Sequence, residues 1–596
     1  AHILEHTVLC GSERYRVKDP FFSMHRRSLS TFMNAFTGAD FTCYPAASQV
    51  PEDFYNLLDV YLDAVFFPLL DVRSFRQEGH RLEFERPDDP KSPLVRRGIV
   101  YSEMKGSMSN PESRLWQELS STLMPDLTYA YNSGGDPKVI PDLTHEELKA
   151  FHATSYHPSR AIFYFYGDLP IERHLDRLEK RLFQYAKPLP QASPLLLQPK
   201  FTEPKLATAS YPLSGGSAER KSYVTLSWLT APIRNHDELL ALSVIDTALM
   251  ETDASPLKAA LLASGLCSDA DSLLDTEMSE APYAIVCRGC EEGSSEAIEA
   301  IIIETLEGVV QSGIGSEAIE AAITNLAFDR SEITGGSHPF GLTLCFRAVL
   351  AMQHGAPPED ALLIHKPVAS LRALAKREGA FERLIEKYLL TNPHRVTLEL
   401  NPDKDLEQRE AAAERAELDR IAAHLSPQQK EAIVSEAAEL VAFQEAPESL
   451  DRLPHLPLSA VRREIPRFPL EERGSVLTHT CFTNHIAYAD LLFDVPHLSD
   501  RELPLLKFLT TLIGELGMEQ KSYREALEYI YAHTGGIDGA LTTYPSIDSA
   551  PLITPTFSLR GKALTEKIPH LFEALGEIAT SMRFDERARI KEVAVQ

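Results

Sequence analysis

The chain has 596 residues, 44% of them hydrophobic and 24% charged, with a formal net charge of −27. That length exceeds what one hydrophobic core serves and implies about three to five domains, while no apolar run approaches the ~18 residues of a membrane span. The acidity argues against nucleic acid and membrane as partners, and suits basic peptides as well as plain solubility.

The first element is His2-Ile3-Leu4-Glu5-His6. Residues four apart share one face of a helix, so His2 and His6 can offer two imidazole nitrogens to one zinc ion. Glu5, beside His6, can hold and deprotonate a water there. This is H-x-x-E-H, the inverse order of the H-E-x-x-H zinc motif. A helical segment, His25–Phe36, is then expected to end near Gly38, followed by an alternating stretch Asp40–Tyr44 and the amphipathic run Phe54–Leu70. Catalytic zinc usually takes three protein ligands and leaves one position for water. Glu103, at a helix start in Val100–Gly106, is the best carboxylate for the third. His145, His152 and His157 lie near a helix and its exit, with no metal-binding arrangement, and read as ordinary surface or core residues. His157-Pro158-Ser159-Arg160 leads into an expected strand, Ala161–Gly167.

The same order of elements recurs twice. In the second copy Pro256–Ser264 reaches Gly265, strands are expected over Cys267–Leu274 and Tyr283–Cys287, and a helix over Ser295–Gln311. A strand, Val396–Leu400, follows Asn392-Pro393-His394-Arg395. In the third copy Tyr523–His533 reaches Gly535-Gly536, ahead of strands Ala540–Tyr544 and Thr554–Leu559 and a helix over Leu564–Met582. These two copies also begin with a strand, Tyr223–Trp228 and Ile486–Phe493. The first has none, so its opening strand is expected to be missing, as is the closing strand of the third. The helices matching the histidine face, Leu239–Met250 and Leu505–Gly517, carry no histidine. Between copies two and three, Leu406–Gln444 is helical and charged, broken at Ser426-Pro427 by an N-cap and an N1 proline into an expected hairpin. A proline-rich connection, Glu448–Pro469, follows.

Seven scattered cysteines, an odd and sparse set, point to a reducing compartment rather than a disulfide scaffold. Cys287 and Cys290 have CxxC spacing, but no second pair follows and they read as part of a strand.

Taken together these pieces resemble the pitrilysin (insulinase-type) metallopeptidase family, an inverzincin family, and its presequence protease branch. The resemblance rests on His2–His6 with Val8–Ser12, Tyr15–Phe21, Asn34–Thr37 with Asp40–Pro45, Gln77–Glu83 and Glu103–Gly106. It continues through Ser133–Pro137 and Tyr156–Ser159, with Ser522-Tyr523 and His533–Gly536 in the third copy. The resemblance implies an α+β fold of repeated pitrilysin-type (LuxS/MPP-like) domains, each a mostly antiparallel sheet packed with helices. Residues 1–200 would form the catalytic domain without its first strand, 201–404 a non-catalytic domain of the same type, 405–465 the helical hairpin and connection, and 466–596 part of a third domain. Further C-terminal domains would complete a chamber, so the chain as given is expected to be a fragment that need not be active alone.

By the same resemblance His2, His6 and Glu103 hold Zn2+ and Glu5 is the general base. Asn34, Ala35, Phe36 and Thr37 form the edge strand that binds substrate, a reading that conflicts with the helix expected over His25–Phe36. Other branches carry a second glutamate seven residues before the ligand glutamate; that position here is Arg96, and the role is not carried over. Glu78 reads as an ordinary surface carboxylate, with support of the metal site as the alternative. The implied activity is zinc-dependent endopeptidase cleavage of short unfolded peptides, presequences among them. The implied location is the cytoplasm in a bacterium or the mitochondrial or plastid matrix in a eukaryote. The competing reading is a non-catalytic peptide-binding or structural subunit of the same family, which would be expected to lack part of the zinc motif.

Overall fold

A computed structural model of the chain describes residues 1–594 apart from 186, 191–195, 334–337, 465–466, 496–497, 547–548 and 550–551. Two compact units result. The first comprises Ala1–Tyr223, Gly335–His354 and Leu398–Pro466, and the second Val224–Thr334, Gly355–Thr397 and Arg467–Gln596. The units follow packing rather than chain order, and the charged hairpin belongs to the first.

In the first unit, Ile3, Leu4 and Val8 project from one face of the helix His2–Val8. They share a core with Leu70, Phe75, Val100, Tyr101, Met104, Ile140 and Leu148. That cluster locks four helices, His2–Val8, Val72–Glu78, Ile99–Ser107 and His145–Ser155, against one another. Burying such side chains contributes roughly 1.5–3 kcal/mol each, which fixes these backbones relative to one another. Three short antiparallel pairs accompany them: Ser30–Met33 with Ala46–Ser48, Phe36–Thr37 with Thr42–Cys43, and Arg81–Phe84 with Leu94–Arg97. The amphipathic run forms the helix Pro51–Phe66, started by a proline at its first turn.

Two expectations for this unit fail. The helix expected over His25–Phe36 instead spans Pro20–Arg27, and the chain turns extended at Ser28. Asp53 is the cause: its carboxylate accepts from Ser28 Oγ at 2.7 Å and from the Leu29 amide at 3.1 Å, holding the chain out of helix. Residues Ala161–Gly167 run extended without a strand partner among the described residues, so the expected strand does not form.

The hairpin consists of Leu406–His424 and Pro427–Glu445, parted where the sequence places the break. Ser426 and Gln429 cap the second helix reciprocally and Pro427 occupies its first turn. The connection after it contains 3-10 turns at Leu450–Arg452 and Leu458–Ala460, and residues 465–466 of it lie outside the described residues.

The second unit shows the repeat directly. The helix Pro256–Ser264 closes on left-handed Gly265 at φ +69°, where a glycine loses nothing. The antiparallel strands Asp269–Leu274 and Glu280–Cys290 then pair in register from Leu274↔Tyr283 to Asp269↔Arg288, followed by the helix Ser295–Ser312. The sheet places Arg395–Asp403 beside Ser222–Pro232, which neighbours Glu280–Cys290. Cys287 and Cys290 are fully buried in this core. Further along, the helix Tyr523–His533, strands Ile537–Pro545 and Ile553–Leu564, and helix Ile568–Ser581 repeat the order. Ile486–Asp494 pairs antiparallel on the other side of Ile553–Leu564. The fold is α+β with repeated domains. No helix among the described residues is long and apolar enough to cross a membrane.

Candidate metal centre

His2 and His6 stand one turn apart on the first helix, opposite its buried face, with ring centroids 4.8 Å apart. Each imidazole is oriented through its Nδ1. His2 Nδ1 donates to the Gly134 carbonyl at 2.9 Å, and His6 Nδ1 lies 3.1 Å from Glu78 Oε2. Both contacts turn Nε2 toward the same point. There Glu103 Oε2 lies 3.9 Å from His2 Nε2 and 4.0 Å from His6 Nε2. One ligand atom from each of the three residues falls within 4.8 Å of the others. Two imidazoles and one carboxylate suit zinc, and Glu103, at 53% side-chain exposure, leaves a side open to solvent.

Glu78 is not a surface carboxylate. It is 7% exposed, and with Oε2 toward His6 it accepts from Gln77 Nε2 through Oε1 at 2.7 Å. Burial alone would lower the His6 pKa, but the Glu78 hydrogen bond and the charges of Glu78, Glu5 and Glu103 raise it. A ligand held in this way loses orientation when its partner is removed. Glu78→Ala is therefore expected to weaken zinc binding about 10–100-fold, measured by competition with a chelator.

Glu5 is buried, and its Oε2 accepts from Thr37 Oγ1. The expected substrate segment thus reaches the expected general base. Asn34 is exposed, with its carbonyl accepting from Tyr61 and its amide bonded to Pro45. The Ala35 amide donates to the Asn34 side chain. Phe36 and Thr37 have one neighbouring strand among the described residues, leaving their other edge without one. Behind them Phe36 packs against Phe32, His338 and Phe346, and Asp40 takes hydrogen bonds from Tyr129 and His354. His145 and His152 bond to main-chain carbonyls and His157 to Ser159, all apart from the metal cluster.

Sequence reasoning missed three contributors. Gly134 needs to be glycine because a Cβ there would meet Met104 Sδ at 2.3 Å, and this close approach lets its carbonyl reach His2. Its signal was the Gly134-Gly135 pair, which marks a tight turn. Tyr44 and Tyr156 join hydroxyls at 2.9 Å, and burial, together with charges that include Glu5, raises the pKa of each. Their pairing across the chain left no local signal.

Comparison with known proteins agrees with this fold. The family model described as "Peptidase M16 inactive domain" matches residues 142–326, and the model for the domain associated with subfamily C of the same peptidases matches 400–596. The word inactive attaches to a range that excludes His2, Glu5, His6 and Glu103. Presequence protease 1, chloroplastic/mitochondrial, from Arabidopsis thaliana is 35% identical over 615 residues, covering 100% of this chain and 56% of the relative. The mitochondrial presequence protease of Danio rerio is 34% identical over 99% of this chain and 58% of its own length. Protein HypA of Clostridium perfringens is 30% identical over 99% and 62%. Among solved structures, pitrilysin superposes with a TM-score of 0.51 at 16% identity, over 99% of this chain and 59% of that one. These likenesses define a pitrilysin-type α+β fold. The chain belongs to the M16 peptidase family, as a presequence-protease-like member. It spans a little over half the length of these curated relatives.

Proposed function

We propose that the protein containing this chain is a zinc metalloendopeptidase that cleaves short unfolded peptides. The observation that carries this reading is the convergence of His2 Nε2, His6 Nε2 and Glu103 Oε2, with Glu5 on the same helix. Bound there, zinc supplies Lewis acidity, polarising the scissile carbonyl and lowering the pKa of a water toward neutrality. Glu5 accepts the proton of the attacking water and passes it to the departing amine nitrogen. Thr37 holds the Glu5 carboxylate in place through its hydroxyl. The free edge at Phe36–Thr37, with Asn34 and Ala35 leading into it, offers main-chain groups to an extended peptide, which gives affinity without strict sequence demand.

Substrates of the presequence type are basic, which complements a chain of net charge −27. The names of the relatives printed as mitochondrial or chloroplastic support an organelle matrix, or the cytoplasm in a bacterium, as the location. We also propose residues 1–200 as the catalytic domain, 201–404 as a non-catalytic copy, 405–465 as hairpin and connection, and 466–596 as part of a third copy, with further domains closing a chamber.

Metal analysis tests the reading. The protein is expected to hold about one zinc per chain, and His6→Ala to lose it, because two protein ligands do not make a catalytic zinc site. Zinc retained at the wild-type level in His6→Ala would overturn the assignment.

A further inference from the structure

The charged helix Leu406–His424 carries Glu410, Glu414 and Glu417 at spacings of four and three, which puts them on one face. Each takes a cation from the first part of the chain. Glu410 pairs with Arg114 at 2.8 Å, Glu414 with Lys105 at 2.5 Å, and Glu417 with Arg96 at 2.6 Å. Arg96, at the position where other branches carry a glutamate, is thus spent on the hairpin.

The middle contact differs from its neighbours. Glu414 Oε2 accepts from Lys105 Nζ while its Oε1 accepts from the Tyr101 hydroxyl, also at 2.5 Å. Tyr101 and Lys105 are one turn apart on the helix Ile99–Ser107, and Glu103 stands midway between them, on the opposite side of that helix. Both oxygens of one carboxylate therefore grip the back of the helix whose front presents Glu103. Glu414 is only 22% exposed, and although burial opposes its charge, the Lys105 and Tyr101 hydrogen bonds outweigh that and keep it ionised.

Glu103 needs this more than the histidines do. His2 is oriented by Gly134 and His6 by Glu78, but no hydrogen bond holds the Glu103 carboxylate among the described residues. Its direction is set by its helix alone. The hairpin's other helix also holds the Glu78 segment, through Glu436 to Arg76 and Gln444 to Gln77, both at 2.7 Å.

We propose that Glu414 is a positioning residue for the metal centre, clamping Tyr101 and Lys105 so that Glu103 faces His2 and His6. This rests on the reading of those three residues as zinc ligands. The hairpin is then a brace for the site as well as a connection between domains.

The test measures the zinc dissociation constant of the full-length protein by chelator competition, beside the thermal midpoint of the metal-free form. Glu414→Ala is expected to weaken zinc binding about tenfold, the low end for a residue acting behind a ligand. Glu410→Ala breaks the neighbouring ion pair without touching the Glu103 helix, and is expected to leave zinc affinity within about twofold at a similar midpoint. Glu414→Gln keeps an acceptor for Tyr101 and should fall between. Equal affinity in Glu414→Ala and wild type overturns the brace, as does an equal loss in Glu410→Ala. A wild-type protein that takes up no zinc overturns the ligand assignment itself, and the brace with it. Should Glu414→Ala fail to fold, Lys105→Met releases the clamp from the other side, with the same expected loss and the same overturning result.

Discussion

Glu5→Gln is expected to lower peptide cleavage about a thousandfold or more while zinc content stays near one per chain. The two effects separate because the metal and the proton transfer depend on different atoms. Zinc would be held by His2, His6 and Glu103, whose ligand atoms cluster without Glu5. Glutamine keeps the size of the side chain and an oxygen that can accept from Thr37, so the local packing around this buried residue survives. It cannot accept the water proton, and the helix His2–Val8 carries no second carboxylate to replace it. Peptide turnover by the full-length protein, measured beside metal content, distinguishes this from a structural effect, since a misfolded site would lose both. Near wild-type turnover with zinc bound would remove Glu5 from the mechanism.

How much of this was legible in the sequence depended on how far apart the contributing residues lie. His2, Glu5 and His6 fall within five residues, and helical geometry alone puts them together. The capped hairpin was equally plain, because Ser426, Pro427 and Gln429 carry its break locally. In the second and third copies, helices closing on glycine and alternating strands were read almost to their observed ends. The first copy misled at Leu29, Phe32, Met33 and Phe36, whose i, i+3, i+4, i+7 spacing is that of a helix face. Strand pairing and the Asp53 carboxylate, both non-local, overrode that pattern. Glu78 was misjudged for the same reason: its burial against His6 arises 72 residues from its partner and leaves no local mark. Arg96 looked only like a departure from a motif until Glu417, 321 residues on, supplied its partner.

Gly98→Ala is expected to destabilise the first unit by about 2–5 kcal/mol and to weaken zinc binding with it. Gly98 directly precedes the helix that carries Glu103, at φ +154°, a conformation that disfavours any side chain. A Cβ there would lie 2.1 Å from the Gly79 carbonyl oxygen and 2.8 Å from His80 Cα. Both are main-chain atoms, so no rotamer relieves the clash. Gly79 is itself hemmed in, for its own Cβ would meet the Phe75 carbonyl oxygen at 2.8 Å and Ile3 Cγ2 at 2.9 Å. The segments bearing His2 and His6, Glu78, and Glu103 thus converge on one glycine-to-glycine contact, and widening it moves Glu103 away from the imidazoles. Gly106→Ala is the internal control, on the same helix with nothing within 4 Å of the added carbon. There the substitution is expected to stabilise by up to about 1 kcal/mol, since alanine favours helix over glycine. Urea unfolding and zinc titration of both variants therefore give opposite signs for one chemical change made at the entry and near the end of a single helix. The sign at Gly98 reports how tightly the backbone spacing behind the metal centre is set.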